Sequence, residues 1–186
     1  MNTPKTLQIT LTNATLSQLT NLTTPRKIRS KDGKESDRYF LNLTLDPTKD
    51  SNHRDVLTQI NSFVNEATGG TGQGLEYIVS KRKAYKRDDN GKKITNIQGE
   101  AELVDHPSEV SVAMKNFSPP RMSGLEEGSD VENVILPSHS IVNVKATLTC
   151  KTVGDRTFVN LYMNEVDLVK RGESQVKGSF RREMVK

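Results

Sequence analysis

The strongest constraint on the fold is a strict alternation of apolar and polar residues between residues 142 and 163. This period of two places one face of each segment against a core and the other toward solvent, as in half-buried β-strands. The turn residues Val153-Gly154-Asp155-Arg156 separate the two segments and predict an antiparallel hairpin. The apolar positions are Val142, Val144, Ala146, Leu148, Cys150, Val159, Leu161 and Met163.

The rest of the chain predicts further short strands and one helix. Helical spacing of apolar residues occurs at residues 56–64; Ser51 or Asn52 could cap this helix, and Gly69-Gly70 ends it. Many short strands with a single helix predict a mainly β chain, folded as an antiparallel β-barrel with long polar loops. The predicted strands are residues 7–12, 38–45, 75–87, a returning strand through Ile94 and Ile97, 110–115 and 166–169, besides the hairpin.

The length of 186 residues fits one domain, which we expect to span residues 1–172, followed by a basic tail at 173–186. The lone Cys150 excludes an internal disulfide and alternates with core residues, so we expect a buried thiol. No apolar stretch approaches the ~20 residues of a membrane span, and no signal peptide is recognisable. We therefore expect a cytoplasmic protein without a membrane partner.

The residues that carry catalytic or metal chemistry have no coherent arrangement. His53, His106 and His139 lack ligand spacing and are interpreted as surface residues. The glycine-rich run 69–74 follows a helix and precedes a strand, which is the reverse of the order in a dinucleotide-binding loop. The sequence therefore predicts neither an enzyme nor a cofactor or metal site.

Charge is distributed unevenly along the chain, although the formal net charge is only +4. Residues 81–93 hold seven Lys and Arg against two Asp, a local charge of +5. Residues 95–140 hold eight acidic residues against two basic ones, a local charge of −6. Such separation produces a directed field that favours a polyanionic partner.

The basic run contains the first candidate binding residues. On a strand, one face would carry Lys81, Lys83, Tyr85 and Arg87. Cations neutralise phosphates while an aromatic ring stacks an unpaired base, so this face suits single-stranded nucleic acid. The alternative is a solvated edge strand whose lysines prevent pairing with other chains.

Other cations and rings on polar strand faces complete the candidate set. Arg38 and Phe40 lie on the polar face of the strand at residues 38–45. We also expect contributions from Lys27 and Arg29 in the preceding loop, and from the hairpin residues Lys145, Phe158 and Tyr162.

The C-terminal hairpin has a distinctive pair of segments. They are Ser140-Ile-Val-Asn-Val-Lys-Ala-Thr-Leu148 and Arg156-Thr-Phe-Val-Asn-Leu-Tyr-Met-Asn-Glu-Val-Asp-Leu-Val-Lys-Arg-Gly172. This pair resembles the end of the bacteriophage-type replicative single-stranded DNA-binding proteins. The resemblance implies an OB-fold barrel that coats single-stranded DNA in replication, recombination or repair, in a bacterial host cytoplasm.

The resemblance also implies that polymerase and helicase are partners, recruited through an acidic C-terminal tail. This chain ends in basic residues instead, and the acidic loop Glu126–Glu132 is the candidate substitute. A homodimer is compatible with the sequence. Two other functions stay open, namely an RNA-binding OB module and a structural barrel that binds a basic protein through the acidic loop.

Overall fold

The computed structural model describes residues 4–30 and 32–173, so the predicted basic tail from residue 174 onward lies outside the described residues. The described chain is mainly β, with one α-helix, α1 (Ser51–Ala67), and a 3₁₀ turn at Leu75–Tyr77. The strands are β1 (Lys5–Leu16), β2 (Thr20–Asn21), β3 (Arg26–Arg29), β4 (Glu35–Leu45), β5 (Val79–Tyr85), β6 (Leu103–Asn116), β7 (Arg121–Ser123), β8 (Ile135–Leu136), β9 (Ile141–Val153) and β10 (Arg156–Lys170).

One large sheet organises the fold. Its strand order is β5-β6-β4-β1-β9-β10-β7, with β3 attached to β4, while β2 and β8 pair separately. Neighbouring strands are antiparallel except for β7, which runs parallel to β10. The order has two ends that do not pair within the described residues, so the prediction of a closed β-barrel is wrong. The sheet is open.

The predicted hairpin is confirmed. It consists of β9 and β10, and all eight of its alternating apolar residues are buried. The predicted separate strand at residues 166–169 is instead the end of β10. A register shift between Met163 and Glu165 moves the buried positions from odd to even numbers, with Val166 and Leu168 buried after it. This bulge breaks the period of two and explains why the sequence suggested two strands.

Strands β6 and β10 meet along a seam that has no hydrogen-bonded ladder. The Asn116 side chain on β6 bridges it, because its Nδ2 donates to the Met163 carbonyl oxygen at 2.5 Å. The Met163 N–H donates in return to Asn116 Oδ1 at 2.9 Å, and both residues are buried. One side-chain amide thus replaces a main-chain pairing step at the place where a barrel would close.

The helix α1 packs on β1. Four residues of the predicted apolar stripe are buried, whereas Phe63 is partly buried and His53 is buried in addition. Its N-cap is Asp50 rather than Ser51 or Asn52. The Asp50 carboxylate accepts hydrogen bonds from the N–H groups of Asn52 at 2.8 Å and His53 at 3.4 Å. The prediction of Ser51 or Asn52 is wrong by one or two residues, because the helix already includes both and the extended backbone precedes it at Asp50.

The interpretation of His53 as a surface residue is wrong. Its side chain is buried between α1 and the sheet, where Nε2 lies 2.9 Å from the Thr12 carbonyl oxygen. Its Nδ1 accepts a hydrogen bond from the Asp46 N–H at 3.1 Å. Both ring nitrogens therefore have main-chain partners, which is how a buried polar ring is satisfied.

We predict that Asn116→Ala lowers the free energy of unfolding by about 2 kcal/mol or more, because it leaves the buried Met163 N–H and C=O without partners. Urea denaturation measures this change. The matched control is Asn42→Ala on the outer face of β4, where no hydrogen bond of the side chain is found among the described residues. Equal losses in the two variants would contradict the bridging role of Asn116.

Candidate nucleic-acid interface

A row of three cavities crosses the outer surface of the sheet at the seam. The first measures about 230 Å³ and the second about 140 Å³, and both are lined by Phe40. The third measures about 630 Å³ and shares Tyr77 and Lys115 with the second. We call this row the trough, and its cations and rings are Arg26, Arg38, Phe40, Tyr77, Lys115, Arg156 and Phe158.

Strand pairing places the first half of the trough. Leu41 and Leu43 of β4 are buried, so the alternating residues Arg38 and Phe40 point to the outer face. Pairing of β3 with β4 sets Arg26 opposite Arg38. Pairing of β4 with β6 sets Lys115 opposite Phe40. Two of the predicted residues, Arg38 and Phe40, are thus joined by two that the sequence did not single out.

The second half of the trough comes from β10 and the 3₁₀ turn. Val159 is buried, so its neighbour Phe158 faces outward and is 51% exposed. Tyr77 is 77% exposed, although the sequence placed it within a strand. Both rings are accessible to a flat partner. Phe40 and Phe158, which were predicted from different strands, therefore line a single row of cavities.

The position of Tyr77 depends on Gly74. Gly74 has a φ of 92° and precedes the 3₁₀ turn, in which the Ile78 N–H donates to the Leu75 carbonyl oxygen. A Cβ on Gly74 would lie 2.7 Å from Val159 Cγ2, so only glycine allows this close approach to β10. The turn replaces the start of the strand predicted at residue 75 and sets Tyr77 in the trough wall.

The cations of the trough have few competing acids. Within the described residues, Arg26, Arg38, Lys115 and Arg156 form no salt bridge. Glu76 lines the third cavity, where its carboxylate accepts a hydrogen bond from the Gly74 N–H at 3.0 Å.

Two arginines of the trough lie against aromatic rings. The Arg38 guanidinium carbon is 3.5 Å from the ring centre of Phe117, which is 64% exposed. The Arg26 guanidinium carbon is 5.9 Å from the ring centre of Phe40. Such contacts orient the guanidinium groups through their flat faces, which does not engage the N–H donors at their edges. One N–H group of Arg38 donates to the Asp37 carbonyl oxygen at 3.0 Å.

The predicted basic strand lies elsewhere. Lys81, Lys83, Tyr85 and Arg87 belong to an arm formed by β5, the start of β6 and the residues between them, and none of the four lines the trough. The arm has its own acids. Its ion pairs are Lys81–Asp105, Lys83–Asp105, Arg82–Glu109 and Lys86–Glu102.

These contacts engage much of the positive charge of the arm. The Lys83 ammonium donates to the carboxylate of Asp105, which lowers the pKa of that carboxyl. Arg87 donates to the Gly91 carbonyl oxygen. Tyr85 is 50% exposed, and the Lys93 ammonium lies 3.8 Å from its ring centre.

The remaining predicted residues also lie apart from the trough. Lys145 Nζ is 3.3 Å from Glu165 Oε1, in a separate cavity that Asp167 also lines. Lys27 and Arg29 lie on the face of β3 opposite to that of Arg26. Lys27 pairs with Asp37 of β4, and Arg29 pairs with Glu35.

Tyr162 shares the outer face of β10 with Phe158 and is half-buried. It lines none of the three cavities of the trough. Side chains of a strand alternate between its two faces, so residues 158 and 162, which are four apart, lie on the same face.

Two features of the described residues bear on metal binding and on thiol reactivity. They contain no group of three His, Cys, Asp or Glu residues arranged to hold a metal ion. Cys150 is buried, as predicted, and burial raises the pKa of its thiol, which disfavours the reactive thiolate. No helix in the described ranges is long and apolar enough to cross a membrane.

Comparison with solved structures identifies the fold. The single-stranded DNA-binding protein gp2.5 of bacteriophage T7 aligns with a TM-score of 0.50 and 14% identity, covering 99% of this chain and 100% of that one. The two chains share a fold. The single-stranded DNA-binding protein of bacteriophage Enc34 aligns with a TM-score of 0.48 and 12% identity, over 96% of this chain and 87% of that one.

A second structure of the Enc34 protein, in complex with single-stranded DNA, aligns with a TM-score of 0.47 and 10% identity, over 89% of this chain and 88% of that one. No protein-family model matches the sequence. No curated protein matches it either.

We predict that Gly74→Ala lowers the free energy of unfolding by about 1–3 kcal/mol more than Gly70→Ala does, because only the first overpacks Val159. Gly70 has a φ of 89° and open space around its missing Cβ, so the backbone strain is matched between the two positions. Urea denaturation of both variants measures the difference. A Gly74→Ala variant as stable as Gly70→Ala would show that the turn does not rest on β10.

Proposed function

We propose that this protein binds single-stranded DNA, without catalysis and without base-sequence preference, along the trough. The observation that carries the proposal is that the three cavities share lining residues and together combine three aromatic rings with four cations. These cations have no salt-bridge partner among the described residues. The shared fold of the T7 protein supports the same conclusion.

The rings and the cations of the trough would contact different parts of a DNA strand. Every base has a π face, so stacking on Phe40, Tyr77 or Phe158 stabilises any unpaired base by about 1–3 kcal/mol. Arginine and lysine side chains contact the phosphates and release counterions. A duplex keeps its bases stacked on each other, so its bases cannot reach the rings without melting.

We also propose that the open sheet is an OB fold whose closure is incomplete at the seam. The five long strands lie in the order β6-β4-β1-β9-β10, so the first strand pairs with both the second and the fourth long strands. OB folds are partly open Greek-key barrels that bind oligonucleotides on their strands and loops. This arrangement supports the OB assignment implied by the C-terminal hairpin.

The biological setting that we propose is phage DNA replication, recombination or repair in a bacterial cytoplasm. The resemblance of the hairpin and the shared fold of the T7 protein support this setting. Polymerase and helicase are the proposed protein partners, with the acidic loop Glu126–Glu132 as their contact, and a homodimer is the proposed assembly. Pull-down of polymerase and helicase by the protein and by a variant of the acidic loop tests the first point. Light scattering, which measures the molar mass in solution, tests the homodimer.

We predict that Tyr77→Ala weakens single-stranded DNA binding by about 10-fold or more, with little change in its salt dependence, because it removes a stacking ring and no cation. The matched control is Tyr85→Ala, which removes an exposed ring on the arm. Fluorescence anisotropy with a labelled oligonucleotide at several salt concentrations measures both quantities.

A larger loss for Tyr85→Ala than for Tyr77→Ala would move the binding site from the trough to the arm. Competition with duplex DNA and with single-stranded RNA of the same sequence tests the function itself. Equal competition by the duplex would contradict single-strand binding, and preference for RNA would favour an RNA-binding module.

A further inference from the structure

The seam leaves main-chain groups of β10 without ladder partners. Met163 directs both its N–H and its C=O toward Asn116, away from β9. Because alternate residues of an antiparallel strand direct their peptide groups to the same side, Leu161 and Val159 also direct theirs into the seam. No register shift interrupts β10 between Arg156 and Met163.

The facing edge of β6 has the same property. The Ala113 N–H donates to the Ile78 carbonyl oxygen, so Ala113 directs its peptide groups away from β4. Lys115 is two residues further along the strand, so it also directs its peptide groups away from β4. In the described part of the chain, β5 pairs with β6 no further than Val112. The peptide groups of Lys115 therefore face the seam from the side opposite β10.

The second cavity of the trough lies between these two edges. Its volume is about 140 Å³, and we call it the slot. Lys115, Val159 and Leu161 line its walls, and the rings of Phe40 and Tyr77 also line it. Peptide N–H and C=O groups that face the seam outside any ladder favour a ligand offering both an acceptor and a donor.

We propose that one unpaired nucleobase enters the slot, with its Watson–Crick edge on the peptide groups and its ring against Phe40 and Tyr77. This inference rests on the proposed function and defines how the trough selects single strands. Each base carries a hydrogen-bond donor next to an acceptor on that edge. Each peptide unit offers one N–H donor and one C=O acceptor, so it can pair with either arrangement. The slot therefore accepts any base that is unpaired and excludes a base whose edge is engaged in a duplex.

The test compares oligothymidylate with an oligonucleotide of equal length made of N3-methylthymidine. The methyl group removes the N3–H donor and blocks the Watson–Crick edge, while the ring face and the phosphates are kept. We expect the methylated strand to bind the unaltered protein about 10-fold more weakly in fluorescence anisotropy at fixed salt. Because the comparison uses one protein and two ligands, protein folding does not affect it.

A variant that fills the slot provides the second measurement. Ala113 lines the slot on the outer face of β6 and is half-buried. Ala113→Ile should weaken oligothymidylate binding and abolish the difference between the two oligonucleotides. The control Ala84→Ile, at a half-buried alanine of the arm, should keep the difference.

The outcomes separate the two proposals. Equal binding of both oligonucleotides to the unaltered protein would overturn the slot while leaving single-stranded DNA binding intact. Retention of the difference in Ala113→Ile would also overturn the slot. Failure of both oligonucleotides to bind would overturn the proposed function and the slot together.

Discussion

The bridge between Asn116 and Met163 is the interaction on which the candidate site depends. The Asn116 side chain spans the gap between β6 and β10, so the two backbones lie further apart than they would if they were hydrogen-bonded directly. The bridge therefore holds the strands together without a ladder between them. A complete ladder would use the peptide groups of both strands and remove the cavity between them. The Asn116–Met163 bridge thus stabilises the sheet, and the gap that it leaves between β6 and β10 forms part of the trough.

The availability of charge, rather than its density in the sequence, separates the trough from the arm. The run at residues 81–93 is the most basic segment noted in the sequence, but Asp105, Glu109 and Glu102 pair with several of its cations. Exposed ion pairs contribute little to stability. They nevertheless reduce the positive field that a phosphate would meet, whereas the described contacts give the arginines of the trough no such partner.

Some of the site followed from local patterns and some did not. The period of two predicted the hairpin and the outward positions of Phe40 and Phe158, because it depends only on which face of a strand is buried. Tyr77 was missed, since its exposure depends on a turn at Gly74 that packs on a strand over eighty residues away. The sequence signal for this turn was the run of glycines that precedes a short apolar segment. The role of Asn116 has no local signature.

Photo-crosslinking of a single-stranded oligonucleotide containing 5-iododeoxyuridine, followed by mass spectrometry of the peptides, tests the central claim most directly. The account predicts crosslinks to rings on both sides of the seam, at Phe40 and Phe158, with Tyr77 between them. Crosslinks confined to Tyr85 and its neighbours on the arm would contradict it.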